Sequence, residues 1–228
     1  TYAAAPVSQF YVGAVVQAAK GIDPASMGLY LGANLEFPGV ALNLTIHAEQ
    51  CASMNAWHPG ARWLTAVAVT DAPCGYCRQF LQEWISEQDI RIITQGGDFG
   101  HEQKALPGLL PTAFGPLDLG RQQGLGAGGS FQGILKLESG QPDELTSLAL
   151  AAARNSYAPY SGNLAGCAAQ LKDGQTLSSC YIESAAFNPS LSPLQSMAIR
   201  LYMAGVRDFA ASLSRLVLVE KPGPISQL

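Results

Sequence analysis

His47-Ala48-Glu49 and Pro73-Cys74-Gly75-Tyr76-Cys77 are the two stretches whose residue types and spacing can do chemistry. A Cys-x-x-Cys pair at the start of a helix turns both sulfurs to one side, because residues three apart are neighbours on a helix. The electropositive helix N-terminus favours thiolates there. Two thiolates and one imidazole make a three-ligand site. Zn2+ held that way keeps a fourth tetrahedral position for water, the arrangement of a catalytic zinc rather than a structural one. His47 and Glu49 diverge by about 200° inside a helix, so they serve one site only at its very start, where the chain enters from a loop. Residues 42–46 permit that entry, with Thr45 as the expected cap. Glu49 is then a proton carrier beside the metal and not a ligand. Two other readings of the cysteine pair stay open at this point, a redox motif and a structural zinc. The structural site would want a fourth ligand; Cys51 is the candidate, against its expected place as a buried core thiol.

These residues need elements to position them. Residues 11–16 and 29–31 read as short strands, 47–57 as a helix, and 63–70 (WLTAVAVT) as a buried strand. Asp71-Ala72-Pro73 is a turn, 74–85 a second helix, and 90–94 (IRIIT) a further strand. Alternation of β and α in this order predicts a layered α/β domain. Residues 120–133 hold six glycines and read as a linker. Beyond them, 143–155 is an Ala/Leu-rich helix, 164–171, 177–181 and 216–219 are strands, and 194–204 is a helix. His58 and His101 are expected to face solvent.

The second half reads as a decayed copy of the first. Ser8-Gln9-Phe10-Tyr11-Val12-Gly13-Ala14 matches Ser161-Gly162-Asn163-Leu164-Ala165-Gly166-Cys167, and Asn34-Leu35-Glu36 matches Tyr181-Ile182-Glu183. His47 stands eleven residues after Glu36, and Leu194 eleven after Glu183. The strand before Pro73-Cys74 has its counterpart before Pro222-Gly223. On this alignment each polar residue of interest in the first half falls on an apolar or small one in the second. The expected domains are 1–120, a linker over 121–140, and 141–228.

Composition excludes several classes of function. The 228 residues carry 13 Lys and Arg against 17 Asp and Glu, a net charge of −4 with no basic run, so a nucleic-acid polymer is not an expected partner. Charged residues are only 13% and hydrophobic ones 48%, which excludes intrinsic disorder. No apolar run reaches the roughly 18 residues of a membrane span, and no signal peptide is read at the start. Five cysteines, an odd number, are not a disulfide framework; they suit reduced thiols or metal ligands and a cytoplasmic location.

The order H-x-E and then P-C-x-x-C is the pattern of zinc deaminases acting on nucleobases. With HAEQ at 47–50, PCGYCRQF at 73–80, Phe114-Gly115-Pro116 followed by Asp118-Leu119, AAARNSYAPYS at 151–161 and ESAAFNPS at 183–190, nearly the whole chain resembles the cytidine deaminases. It is most similar to their larger homodimeric form of enteric bacteria and plants. The smaller homotetrameric form usually has a third Cys where this chain has His47.

The resemblance implies a three-layer α/β/α sandwich, with a catalytic domain followed by a degenerate zinc-less copy. It implies Zn2+ on His47, Cys74 and Cys77, Glu49 as the catalytic acid and base, and hydrolysis of cytidine and deoxycytidine to uridine and deoxyuridine plus ammonia. Phe10 would pack on the pyrimidine, Asn34 and Glu36 would bind the ribose hydroxyls, and Phe114 would form a wall. Ala186 and Phe187 would reach the neighbouring subunit's site in trans, so the implied partners are a small nucleoside and a second copy of the chain. Without the resemblance, Phe10 reads as a core aromatic, and Asn34 and Glu36 equally as a solvated strand edge. The chain is expected to differ from these relatives in a longer stretch over residues 20–28 and in its N-terminal helical region. A deaminase of another nucleoside or base, a non-enzymatic zinc-stabilised interaction module and a pseudoenzyme are the alternatives.

Overall fold

The computed structural model describes residues 2–21, 24–84, 89–96, 100–122, 124–127, 135–138 and 140–227. Its contacts divide the chain into two units, Thr1–Gly128 with Ser184–Pro189, and Gly129–Glu183 with Ser190–Leu228. The segment Ser184–Pro189, expected in the second domain, thus belongs to the first unit. Much of the expected linker over 121–140 lies outside the described residues. Leu125, within it, is fully buried and its N–H donates to the Glu83 carbonyl at 2.6 Å, so this piece is docked in the first unit.

The first unit runs β1 (Gly13–Ala19), β2 (Gly28–Ala33), α1 (Ala48–Trp57), β3 (Trp63–Val69), α2 (Gly75–Leu81), β4 (Arg91–Gln95), β5 (His101–Ala105) and the short α3 (Leu106–Leu109). The sheet order is β2-β1-β3-β4-β5. Only β3 and β4 pair in parallel among these strands. Parallel neighbours need a crossover, and α2 lies in it. Burial alternates along β1, as period-2 side chains require. Helix α1 is buried at every position but Asn55, which makes it a core helix rather than an amphipathic one. It lies so close to β2 that a Cβ on Gly32 would stand 2.1 Å from the Ala52 nitrogen and 2.5 Å from the Ala48 oxygen.

The second unit runs α4 (Glu144–Arg154), β6 (Ala165–Leu171), β7 (Thr176–Cys180), α5 (Pro193–Met203), α6 (Phe209–Ser212) and β8 (Leu213–Glu220), with sheet order β7-β6-β8. Ala168 packs with Leu145 and Ala149 of α4. Cys167, Ala169 and Leu171 pack with Met197 and Leu201 of α5. Alternate residues of β6 therefore meet helices on opposite faces, which gives the three layers. On the first sheet the face corresponding to that of α4 carries Leu29 and Leu31, 72% and 49% exposed.

The two units repeat one another in detail. β1-β2-α1-β3 corresponds to β6-β7-α5-β8, with antiparallel pairing of the first strand to both others in each. Both carry a register shift at the same place, between Gln17 and Ala18 and between Gln170 and Leu171. Isolated bridges Ala4–Leu35 and Leu35–Ile46 match Tyr157–Ile182 and Ile182–Leu191.

These bridges correct the alignment expected from spacing. The connection from Leu35 to Ile46 is two residues longer than that from Ile182 to Leu191. His47 therefore corresponds to Ser192, not to Leu194, and Leu194 corresponds to Glu49. Glu36 also corresponds to a glutamate, Glu183, so not every polar residue of the first half has been lost.

Three further expectations are corrected. The helix expected over 74–85 ends at Leu81, with Cys74 as N-cap and Gln82 as C-cap; Ile85 lies outside the described residues. The N-cap of α1 is His47, not Thr45, which closes a separate 3-10 turn at Leu42–Leu44. His58 is half-buried at the end of α1 rather than solvent-facing, whereas His101 is exposed on β5.

Candidate metal centre and active site

Two helix starts build the centre. His47 is extended (φ −79°, ψ 153°) as the N-cap of α1, so its ring and the side chain of Glu49 in the first turn are free to face one place. Cys74 is the extended N-cap of α2 and Cys77 lies in that helix's first turn. The ligand atoms of His47, Cys74 and Cys77 all lie within 4.8 Å of one another, with His47 Nδ1 3.5 Å from Cys74 Sγ. No carboxylate or third cysteine joins this group among the described residues. Cys51 is fully buried, and burial raises its thiol to about 11.

The electrostatics suit a metal. The Cys77 hydrogen bond, against the effect of burial and helped by His47, holds the Cys74 thiol down to about 3. Cys77 is pushed up, first by that same bond and then by burial and Glu49. A divalent cation binds thiolates and would displace the proton that Cys77 is pushed to retain. The Cys74 hydrogen bond raises His47. Glu49 is 4% exposed and hydrogen-bonds Cys77; its burial raises its pKa. A soft, two-sulfur, one-nitrogen donor set of this size fits Zn2+.

Comparison with known proteins decides the family. Residues 1–90 and 106–228 each match a model described as the cytidine and deoxycytidylate deaminase zinc-binding region. The chain is 40% identical over its whole length to a cytidine deaminase of Vibrio parahaemolyticus, spanning 72% of that protein. It is 41% identical over 97% of its length to one of Serratia proteamaculans, spanning 70% of that protein. The chain belongs to the cytidine deaminase family. The second matched region has Ser192, Leu194 and Gly223 where the first has His47, Glu49 and Cys74, so the deaminase fold recurs there without these donors.

The remaining residues expected from the family fall into three places. Asn34 and Glu36 flank Leu35, whose bridge with Ile46 brings them alongside the start of α1. Asn34 Nδ2 donates to the Phe10 carbonyl at 2.8 Å and its Oδ1 accepts from Val12 N–H at 2.9 Å. Glu36 Oε2 accepts from Val7 and Ser8 N–H at 2.9 and 3.0 Å. Phe10 itself is 56% exposed, which is not a core position. Phe114 is also exposed, and its carbonyl accepts from Gln79 Nε2. Ala186 and Phe187 lie on Ser184–Pro189; Phe187 is 66% exposed at φ +59°.

Three contributors escaped the sequence reading. The Tyr76 ring stacks on His47, with centroids 4.9 Å apart and planes 25° apart, and so orients the imidazole. Gln50 accepts from His47 N–H at 3.2 Å, donates to the Pro189 carbonyl at 3.0 Å, and hydrogen-bonds Tyr76. A Gln three residues after an N-cap was a usable signal for the first of these bonds. Glu83, fully buried, accepts from Ala185 N–H at 2.6 Å. Arg78 donates to the carbonyls of Pro73 and Leu109, both at 2.8 Å, and so braces the cysteine turn from behind.

Proposed function

We propose that the chain catalyses hydrolytic deamination of cytidine and deoxycytidine to uridine and deoxyuridine, releasing ammonia. The observation that carries this reading is the convergence of His47, Cys74 and Cys77 with a buried Glu49 in a cytidine deaminase fold. His47 Nδ1 and the two sulfurs would hold Zn2+, which supplies Lewis-acid activation of water to a pKa of about 7.

Glu49 takes a proton from the attacking water and delivers it to ring N3, which makes C4 electrophilic. Water oxygen bonds to C4. Glu49 then carries a second proton to the amino group, and the C4–N bond breaks to release ammonia. Burial raises the Glu49 pKa, which helps the carboxyl keep the proton it takes until it passes it on. Glu36 Oε1 and the second Asn34 amide hydrogen retain bonding capacity for the sugar hydroxyls, and Phe10 offers its exposed ring to the pyrimidine.

The proposed assembly is a homodimer in which Ala186 and Phe187 complete the partner's site. A bulky residue held at positive φ and left exposed supports a role outside its own fold. The net charge of −4 favours a free nucleoside over a polymer. A cytoplasmic setting suits five cysteines without disulfides.

The test is Glu49→Gln in an ultraviolet assay with cytidine, deoxycytidine, cytosine and adenosine. The variant is expected to bind zinc and fold like the parent while kcat falls about 10^2- to 10^4-fold. Turnover near the parent rate would refute the role of Glu49.

A further inference from the structure

We propose that Ser8 is a positioning residue that fixes the Glu36 carboxylate and Phe10 relative to one another before substrate arrives. The proposal rests on the reading above that Glu36 and Phe10 contact the nucleoside. Ser8 Oγ donates to Glu36 Oε1 and accepts from Phe10 N–H at 3.0 Å. Its own N–H donates to Glu36 Oε2 at 3.0 Å. One hydroxyl therefore bridges the group that would meet the sugar and the residue that would meet the base. A free glutamate has several rotamers, and a binding group that must be ordered on association loses affinity.

The turn is held in a conformation that this sequence does not favour. Gln9, between the two anchored residues, sits at φ +58°, a region that side-chain-bearing residues enter only at a cost. Its side chain offsets that cost, donating to the Pro6 carbonyl at 3.1 Å and accepting from the Tyr11 hydroxyl at 3.0 Å.

The second unit holds a matching turn, with no cluster of metal donors beside it among the described residues. Tyr160 and Ser161 N–H donate to Glu183 Oε2 at 2.7 and 3.1 Å, and Ser161 Oγ accepts from Asn163 N–H at 3.1 Å. The intervening Gly162 has φ +68°. There the turn ends on a fully buried Asn163, where the first unit ends on an exposed Phe10. The backbone N–H bonds to the glutamate and the serine's bond to the N–H two residues on are thus part of the fold. What the first unit adds is an exposed ring at one end and a carboxylate with spare bonding capacity at the other.

This duplication supplies the control. Ser8→Ala and Ser161→Ala each remove a hydroxyl that accepts the N–H two residues on, at equivalent turns, so a merely structural role predicts a loss of thermal stability and no change in KM for either. The positioning role predicts that Ser8→Ala raises KM for cytidine about tenfold, with kcat within about twofold, while Ser161→Ala leaves both unchanged. Ser8→Thr, which keeps the hydroxyl, restores KM. Glu36→Ala raises KM by a similar factor, and adding Ser8→Ala to it raises KM no further. Carbon-13 NMR of the Glu36 carboxyl shows a higher pKa in Ser8→Ala, a readout that needs no substrate.

An unchanged Glu36 titration, an unchanged KM in Ser8→Ala, an equal rise in Ser161→Ala, or additive effects with Glu36→Ala each overturn the proposal. No turnover of cytidine by the parent overturns the functional reading, and the proposal with it. Normal turnover with an inert Ser8→Ala removes only the proposal.

Discussion

The metal donors depend on residues that donate nothing to a metal. His47 can present Nδ1 to Cys74 only while its ring is held in plane, and the Tyr76 stack does this. Partners that orient a ligand typically change metal affinity about 10- to 100-fold when lost. Tyr76→Ala is expected to weaken zinc by about that factor in a chelator competition, and Tyr76→Phe, which keeps the stack, by much less. Equal affinity in Tyr76→Ala would show that the stack orients nothing.

His47, Glu49, Cys74 and Cys77 were legible because their chemistry is local to two short motifs. Tyr76 was not, because a tyrosine between two cysteines has no distinguishing spacing. Glu83 was not legible either, since its partner Ala185 is 102 residues away.

At the scale of elements, helix α1 and strand β2 are held together by the absence of a side chain. Gly32→Ala would drive a methyl against backbone atoms of Ala48 and Ala52, which cannot swing aside as a flexible side chain would. The expected loss is about 3 kcal/mol, the upper end for overpacking. Gly166 meets Ala153 N at 2.2 Å in the same way. Gly32→Ala should also lower zinc affinity, because Ala48 lies between His47 and Glu49, whereas Gly166→Ala should lower stability alone. Denaturation and zinc titration on both variants check this.

A pH effect belongs to α4. Asp143, its N-cap, is held at about 2 against 3.8, first by the Thr146 hydrogen bonds and then by Arg215. A depressed acid stabilises the fold above its unfolded pKa and loses that contribution as pH falls through its folded one. The stability gap between the parent and Asp143→Ala should therefore be full above about pH 4 and close toward about pH 2. A gap that stayed constant over that window would contradict this.

The elements themselves were largely readable from period-2 and period-3.6 runs. β5 was not, because all five of its residues are exposed and the four before Ala105 are polar. An edge strand paired on one side carries no alternation to read.

At the scale of the whole molecule, one chain carries the same fold twice and, among the described residues, one set of donors. Zinc stabilises only the state that binds it, by about 2.7 kcal/mol at one hundred times Kd. Calorimetry of the metal-free and zinc-loaded protein should show heat absorption that moves with zinc for the first unit and stays in place for the second. Unfolding of the first unit on chelation would instead mark the zinc as structural. The repeat was visible in sequence, but its alignment slipped by two residues, since nothing in the letters reveals that the second connection is shorter. Only the paired backbone of Ile182 and Leu191 does. No described helix is long and apolar enough to cross a membrane.

His47 and Ser192 occupy the same position, and they differ in what they do for their helices. Ser192 accepts from Gln195 N–H at 3.1 Å, whereas neither His47 nor Cys74 makes a side-chain cap bond. Serine, aspartate or asparagine at a helix start is worth about 1 kcal/mol. Directed evolution for heat resistance alone would thus find easy gains at His47 and Cys74, and every such gain would remove a donor of the proposed zinc site. Thermostabilisation campaigns on this scaffold need a turnover screen in each round, with these two positions held fixed.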